Sequence, residues 1–310
     1  MKIAIIGAGA MGMLFAGYLS KENETVLIGC DARRMSVIAE KGVAITEKDG
    51  STATYYPNAL ISSEEIDTQD LVILLTKAMD SRIALAANPT LFGKGTILMT
   101  LQNGSGHETI LQDFAPRSQI AVGTTQDGSS ITGDNSIRHS GVGTTAFGMI
   151  EGDLTLLCAA EKTFCRCGFE TTKTENIKQL IWNKLIINVS SSALSGLLQM
   201  PQGYCLDDSY AWEITQMLIK EAVAVANADG MQLEETAQIA RVKNLLKNAR
   251  SGLVSVYADL KAGRFTEVDT ISGSVIARGK ALNVPTPTHQ LIVNLIHAME
   301  RRKDYDPSAF

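Results

Sequence analysis

The sequence predicts an α/β domain built on a doubly wound, mostly parallel sheet, followed by an all-helical domain. Three observations lead there. Short apolar runs alternate with helix-period stretches through the first half, the pattern of strand–helix–strand units. Strand-like alternation stops near residue 173, and every later periodic stretch is helical. A chain of 310 residues is long enough for two cores at about 150 residues per domain. The expected division is 1–172 and 173–310.

Taken in order, residues 2–6 form a β-branched strand. Glycines follow, then an amphipathic helix over 11–19. Residues 25–28 form a second strand, and Asp31 is placed to cap a helix running to Lys41. Residues 43–46 and 53–56 flank Lys48-Asp49-Gly50 and read as a hairpin. A buried strand over 70–76 leads into a helix over 78–87, and a strand over 95–101 ends at Asn103-Gly104. Residues 120–124 and a glycine-rich β region over 136–148 complete the first domain. The helices of the second span 177–198, 209–229, 233–248, 253–262, 267–282 and 288–301. No Gly/Ser-rich or Pro-rich linker separates the two parts, and no repeat is evident. Residues after Arg302 read as a loose tail.

Composition excludes several classes. The net charge is −5, from 28 basic and 33 acidic residues, which argues against a general nucleic-acid or membrane-surface binder. No apolar run approaches the roughly 18–20 residues of a membrane span. The N-terminus passes from Lys2 directly into a strand and a glycine loop, without the parts of a signal peptide, so the expectation is a cytoplasmic protein. The cysteines (Cys30, Cys158, Cys165, Cys167 and Cys205) are odd in number and scattered, a poor disulfide framework. They read as reduced and mostly as packing residues. Neither Cys165-x-Cys167 nor the four scattered histidines have metal-ligand spacing, so no metal is expected.

Gly7-Ala8-Gly9-Ala10-Met11-Gly12 is a GxGxxG that follows a strand and opens a helix, the context that gives the pattern force. Gly7 permits the tight turn, Gly9 lets the backbone approach a pyrophosphate, and Gly12 lets helix and sheet pack closely. The helix N-terminus supplies N–H groups and positive dipole to the phosphates. The first domain is therefore expected to be Rossmann-type and to bind a dinucleotide. The second strand ends Leu27-Ile28-Gly29-Cys30, with no carboxylate at its tip to meet a ribose 2′-hydroxyl, and Asp31 is accounted for as a helix cap. Arg33 and Arg34 fall in the first helical turn, where the dipole disfavours cations. They read either as partners of a 2′-phosphate, which favours NADPH (NADP), or as solvated surface arginines. Lys77 and Asn103 follow strands at their carboxyl ends, where open α/β sheets bind ligands. Asn103-Gly104 also reads as a turn, and Lys77 as a helix-start residue facing water.

In the helical half, Leu180–Val189 is apolar nearly all round. Yet Lys184, Asn188 and Ser192 recur at i, i+4 and i+8, placing an amine, an amide and a hydroxyl on one stripe. A buried lysine needs a partner or a wet cavity; the alternative is an amine reaching solvent at an edge. The segment Lys261-Ala262-Gly263-Arg264-Phe265-Thr266-Glu267-Val268-Asp269 holds a second polar group. Gly263 stops one helix, Thr266 is placed to cap the next, and Glu267 and Asp269 fall in its first turn. That is good capping and needs no function. It also holds a carboxylate rigidly. Ser255 and Asp259 lie one turn apart on the preceding helix.

With these residues named, the chain resembles the ketopantoate reductase (2-dehydropantoate 2-reductase) family over nearly its whole length. The resemblance rests on Gly7-x-Gly9-x-x-Gly12, Lys77, Gln102-Asn103-Gly104, Trp182-x-Lys184-x-x-x-Asn188 and Asp259-x-x-x-Gly263-Arg264-x-Thr266-Glu267-Val268-Asp269. It implies reduction of the ketone of 2-dehydropantoate by NADPH to (R)-pantoate, in pantothenate and coenzyme A biosynthesis. It implies that Lys184 is the catalytic lysine that hydrogen-bonds the ketone oxygen and serves as acid. It implies that Glu267 binds the substrate and orders the site. Asn103 matches the asparagine at the nicotinamide end, Asn188 and Ser255 match substrate-contacting positions, and Lys77 matches a lysine near the cofactor. The chain departs from the pattern at Ser192, where a second asparagine is expected. It departs again at Cys30 or Asp31, where an arginine commonly follows the second strand, and Arg33 and Arg34 are left as substitutes. The implied partner is a small 2-oxo acid, and a homodimer is a candidate assembly. Two competing readings are an NADP-dependent reductase or dehydrogenase for another 2-oxo or hydroxy acid, and a non-catalytic NADP-binding sensor.

Overall fold

The computed structural model describes residues 1–302, so the tail expected after Arg302 lies outside the described residues. The chain forms two compact units. One is Met1–Gln102 with His107–Leu180; among the described residues the other is Asn103–Gly106 with residues 181–302.

The strands of the first unit are β1 (Lys2–Ile6), β2 (Glu24–Ile28), β3 (Val43–Thr46), β4 (Thr52–Tyr55), β5 (Asn58–Leu60), β6 (Leu71–Leu74), β7 (Ile97–Thr100), β8 (Ile120–Thr125), β9 (Gly128–Ile131), β10 (Ser136–Gly141), β11 (Thr145–Met149) and β12 (Thr171–Lys173). Its helices are α1 (Ala10–Leu19), α2 (Ala32–Lys41), α3 (Ser81–Ala86), α4 (His107–Leu111) and α5 (Cys158–Cys167). An eight-stranded sheet runs β12-β11-β8-β7-β6-β1-β2-β5. Its pairings are parallel except β11 with β8. β1 lies between β2 and β6, so strand order reverses there and a crevice opens at the carboxyl ends of β1 and β6. This is the doubly wound sheet the alternating pattern predicts.

A second, four-stranded sheet runs β4-β3-β10-β9. The expected hairpin is its β3–β4 pair, antiparallel from Val43↔Tyr55 to Thr46↔Thr52. His139 on β10 ties this sheet to its neighbours. Its Nδ1 meets Glu47 Oε2 at 3.0 Å and its Nε2 meets Asp127 Oδ1 at 3.2 Å, while Tyr18 of α1 also hydrogen-bonds Glu47.

Several expectations are corrected. The β region over 136–148 is two strands in different sheets, β10 and β11, broken at residues 142–144. The helix over 78–87 is a 3₁₀ turn, Ala78–Asp80, followed by the short α3. The first helix is not amphipathic: Gly12–Leu19 is buried on every face. It lies among β1, β2, both strands of the hairpin, β9, β10 and α5, so no face meets water. Of the cysteines, Cys167 and Cys205 are buried, whereas Cys30 and Cys165 are exposed and packing does not account for them. Among the described residues no helix is long and apolar enough to cross a membrane.

The second unit holds most of α6 (Ile177–Leu198), then α7 (Tyr204–Asp207), α8 (Ser209–Ala228), α9 (Glu235–Asn248), α10 (Ser255–Lys261), α11 (Ser272–Ala281) and α12 (Pro287–Arg301). Its core is formed by Leu185, Ile186 and Val189 of α6 with Leu218, Ile219, Val275, Ile292 and Ile296. The expected helix over 267–282 begins only at Ser272, so Glu267 and Asp269 lie in a turn ahead of α11 and not in its first turn. Thr266 is consequently not that helix's cap; its hydroxyl is bonded to Glu300 instead.

Candidate functional site

The glycine loop follows β1 at the crevice. Gly7 has φ +117°, and a Cβ there would stand 2.7 Å from the Leu75 and Thr76 backbone at the end of β6. A Cβ on Gly12 would lie 1.7 Å from the Gly7 carbonyl oxygen, so glycine is required for α1 to start so close to the strand. A Cβ on Gly9 would meet nothing within 4 Å. Only Gly9 therefore faces open space, as the approach of a pyrophosphate to bare backbone demands. Ala8, Ala10 and Met11 complete the half-buried loop, and Met13 N–H closes the first turn on the Gly9 carbonyl at 2.9 Å.

Asp31 caps α2, its carboxylate accepting from Arg34 N–H at 3.1 Å, as the sequence predicts. The two arginines then diverge. Arg33 is 83% exposed and pairs with Asp134 at 3.0 Å. Arg34 turns to the glycine loop and donates from Nη1 to the Ala8 carbonyl at 3.2 Å. Its Nε is buried with no hydrogen-bond partner, and so is Thr76 Oγ1 beyond the end of β6. Orphaned polar atoms beside a bare loop fit a polar ligand such as a dinucleotide. Lys77 is half-buried in the same β6–α3 connection. Gln102 locks the strand ends: its amide donates to the Thr76 carbonyl at 2.8 Å and to Ser81 Oγ at 2.9 Å, and its oxygen accepts from Thr100 Oγ1 at 2.8 Å.

In the helical unit the spacing of α6 has the expected consequence. Lys184, Asn188 and Ser192 are half-buried, while Leu185, Val189 and Ala193 between them are buried. The stripe continues to Gly196, where a Cβ would come within 2.5 Å of Val256 Cγ1. That close approach brings the start of α10, with exposed Ser255, against the far end of the stripe. Burial pushes the Lys184 amine down to about 8, against the pull of the Glu267 carboxylate, which favours the charged form. Amine and carboxylate thus sense one another, although 83 residues separate them in the sequence (267 − 184).

The turn that carries Glu267 also holds the Asn103 loop. Ser105 N–H donates to the Thr270 carbonyl at 2.9 Å, and Thr270 Oγ1 donates to the Asn103 carbonyl at 3.4 Å. A Cβ on Gly104, whose φ is +101°, would lie 2.1 Å from the Thr270 oxygen. Asn103, half-buried, therefore groups with Lys184 and Glu267 in the same unit. Sequence reasoning missed Thr76, Arg34's engagement with Ala8, and Glu300. None has a local signal: Arg34 and Glu300 bond to partners distant in sequence, and Thr76 Oγ1 stands out only by being buried without a hydrogen-bond partner. No group of three or more metal-ligating side chains occurs among the described residues.

A bare glycine loop at the switch point of a doubly wound sheet defines the first unit as a Rossmann-type dinucleotide-binding domain. The helical unit adds a half-buried lysine in electrostatic reach of a carboxylate. Family comparison makes the class specific. Residues 3–152 match the family model described as ketopantoate reductase PanE/ApbA, and residues 176–300 match its C-terminal counterpart. A 2-dehydropantoate 2-reductase of Pyrococcus horikoshii is 29% identical over 301 residues, covering 97% of this chain and 98% of that protein. One from Halobacterium salinarum is 26% identical over 306 residues, covering 97% and 99%. Among solved structures, the ternary structure of D-mandelate dehydrogenase with NADH and anilino(oxo)acetate superposes with a TM-score of 0.92 at 29% identity, covering 99% and 100%. The chain belongs to the ketopantoate reductase family.

Proposed function

We propose that this protein reduces the ketone of 2-dehydropantoate to the hydroxyl of (R)-pantoate with NADPH, in the cytoplasm, as a step toward pantothenate and coenzyme A. The observation that carries the reading is the half-buried stripe of Lys184, Asn188 and Ser192 on α6, with the Lys184 amine in electrostatic reach of Glu267. Gly7, Ala8, Gly9, Ala10, Met11 and Gly12 would hold the dinucleotide, with Arg34 at the 2′-phosphate and Lys77 and Asn103 further along. The bound nicotinamide supplies the hydride for the carbonyl carbon. Negative charge then builds on the ketone oxygen. The Lys184 ammonium stabilises it and donates the proton. An amine with a pKa near 8 is mostly protonated at neutral pH yet parts with its proton more readily than an ordinary lysine. Glu267 binds the substrate hydroxyl and favours the charged amine. Asn188, Ser192 and Ser255 contact the remainder of the substrate, with Ser255 at its carboxylate.

A second reading is NADH-dependent reduction of a different 2-oxo acid. It is favoured by Arg33, which is committed to Asp134, and by the similarity to a D-mandelate dehydrogenase solved with NADH. One experiment separates the two. A panel of 2-oxo acids including 2-dehydropantoate and phenylglyoxylate is offered with NADPH and NADH in parallel, and loss of nicotinamide absorbance is followed. Fastest turnover of 2-dehydropantoate with NADPH is expected. Preference for NADH and an aryl 2-oxo acid would replace the first reading with the second. No turnover of any ketone alongside measurable NADPH binding would indicate a sensor.

A further inference from the structure

Glu267 opens the turn ahead of α11: Thr270 and Ile271 N–H donate to its carbonyl at 3.2 and 3.1 Å, while the segment just before it is held from outside. Glu300, near the end of α12, is the group that holds it. Its side chain is only 2% exposed. Oε1 accepts from both the Thr266 backbone N–H and Thr266 Oγ1, each at 2.7 Å. Thr266 Oγ1 in turn accepts from Val268 N–H at 3.2 Å. Oε2 meets His297 Nδ1 at 2.8 Å, and His297 Nε2 meets Asp269 Oδ1 at 3.0 Å.

Thr266 and Val268 are both buried, so the residues on either side of Glu267 are fixed while Glu267 itself stays half-buried. A carboxylate buried this deeply is costly unless every oxygen is used. Here both oxygens are used, and all the contacts converge on residues 266–269 or on His297, which reaches the same segment. The far end of the turn is fixed separately, by Thr270 on the Asn103 loop. A turn pinned at both ends fixes the Cα–Cβ direction from which the Glu267 side chain reaches out.

We propose that Glu300 is a positioning residue that, through Thr266, holds the Glu267 carboxylate where it meets substrate and Lys184. The proposal rests on Glu267 having the role given above, and its test keeps the two apart. KM and kcat for 2-dehydropantoate with NADPH are measured for the wild type, Thr266→Val, Thr266→Ser, Glu300→Gln, Glu267→Ala and the double variant Thr266→Val/Glu267→Ala. NADPH affinity is measured by fluorescence titration. Thr266→Val keeps the volume but removes the hydroxyl, and is expected to raise KM about fivefold, the worth of one net hydrogen bond. Thr266→Ser is expected to restore it, and Glu300→Gln to raise KM by a similar factor. NADPH affinity is expected to stay unchanged in all of them. On the Glu267→Ala background Thr266→Val is expected to add nothing, since the group it positions is gone.

Undiminished effect of Thr266→Val on that background would overturn the proposal, because the damage would then be general. So would unchanged KM in Thr266→Val and Glu300→Gln while Glu267→Ala raises it. Where Glu300→Gln yields little folded protein, the Thr266 variants decide alone. Unchanged kinetics in Glu267→Ala, or a wild type that turns over no 2-oxo acid, would remove the reading of Glu267 and this proposal together.

Discussion

Lys184 combines two opposed influences, burial that favours the neutral amine and the Glu267 carboxylate that favours the ammonium. The acid form is the one the chemistry needs. As pH rises through about 8 the amine loses its proton, so kcat/KM for the ketone is expected to fall above that pH and to hold below it. Glu267→Gln removes the favouring charge and is expected to move this alkaline limb to lower pH; a limb that stays in place would show that the carboxylate does not act on the amine. Lys184→Ala is expected to lower turnover by roughly 10²-fold or more, the low end for losing an acid catalyst. The glycine loop offers a contrast at the same scale. Gly9→Ala adds a methyl into open space, so folding is expected to be intact while NADPH affinity falls. Gly12→Ala drives a methyl to 1.7 Å from a carbonyl oxygen, and loss of folded protein is expected. Far-ultraviolet circular dichroism beside cofactor titration separates the two outcomes. The residues of the stripe on α6 were legible because helical spacing alone aligns 184, 188 and 192. The setting of Glu267 was not. Thr-Glu-x-Asp after a glycine reads as a helix cap, and the Thr266 hydroxyl oxygen does accept from Val268 N–H, but its N–H and O–H both donate to Glu300, 34 residues on, which nothing local foretells.

At the scale of elements, α6 is fixed at both ends of its polar stripe. Near Lys184, the Trp182 indole N–H donates to Asp229 Oδ2 at 2.9 Å at the end of α8, and Arg278 of α11 holds the other oxygen through Nε at 2.6 Å. Trp182→Phe is expected to cost about 1 kcal/mol, the net worth of the lost bond plus some packing, read as a lower denaturant midpoint at unchanged m. At the other end Gly196 lets α10 approach. Gly196→Ala puts a methyl 2.5 Å from Val256 Cγ1 and is expected to push away the start of α10 that carries Ser255. A raised KM for the 2-oxo acid with unaltered NADPH affinity would follow; unchanged KM would remove Ser255 from the substrate. Strands β1, β2, β6 and β7 and the helices α6, α8, α9 and α12 were legible because burial on both faces or helical periodicity marks them, whereas the four-residue α7 is too short to show a period. The mistaken amphipathic reading of α1 has a plain cause. Glycine, alanine and tyrosine on its second face look permissive of solvent, and only the small β4-β3-β10-β9 sheet together with α5 covers that face.

At the scale of the molecule, each unit has its own hydrophobic cluster, one around Phe15, Phe147 and Phe164 and the other around α6. A nicotinamide cofactor bound by the Rossmann-type unit would stabilise that unit by linkage. At a concentration near a hundredfold above its dissociation constant the gain is about 2.7 kcal/mol, a rise on the order of 5–10 °C in that unit's midpoint. A thermal scan with NADPH and NADH side by side would rank the two cofactors without any substrate, and equal shifts would remove Arg34 from the choice. The alternation that makes the sheet, the bare loop after β1 and the stripe on α6 are written in the order of the residues alone. These are local: a strand's period, a turn's need for glycine and a helix's pitch act within a few residues. Which arginine turns to the loop, the pairing of Asn103 with Thr270, and the turn at Glu267 tied to Glu300 came from long-range packing instead. Those outcomes depend on hydrogen-bond partners scores of residues away, and a partner's position in space is the result of packing, which no short window of sequence contains.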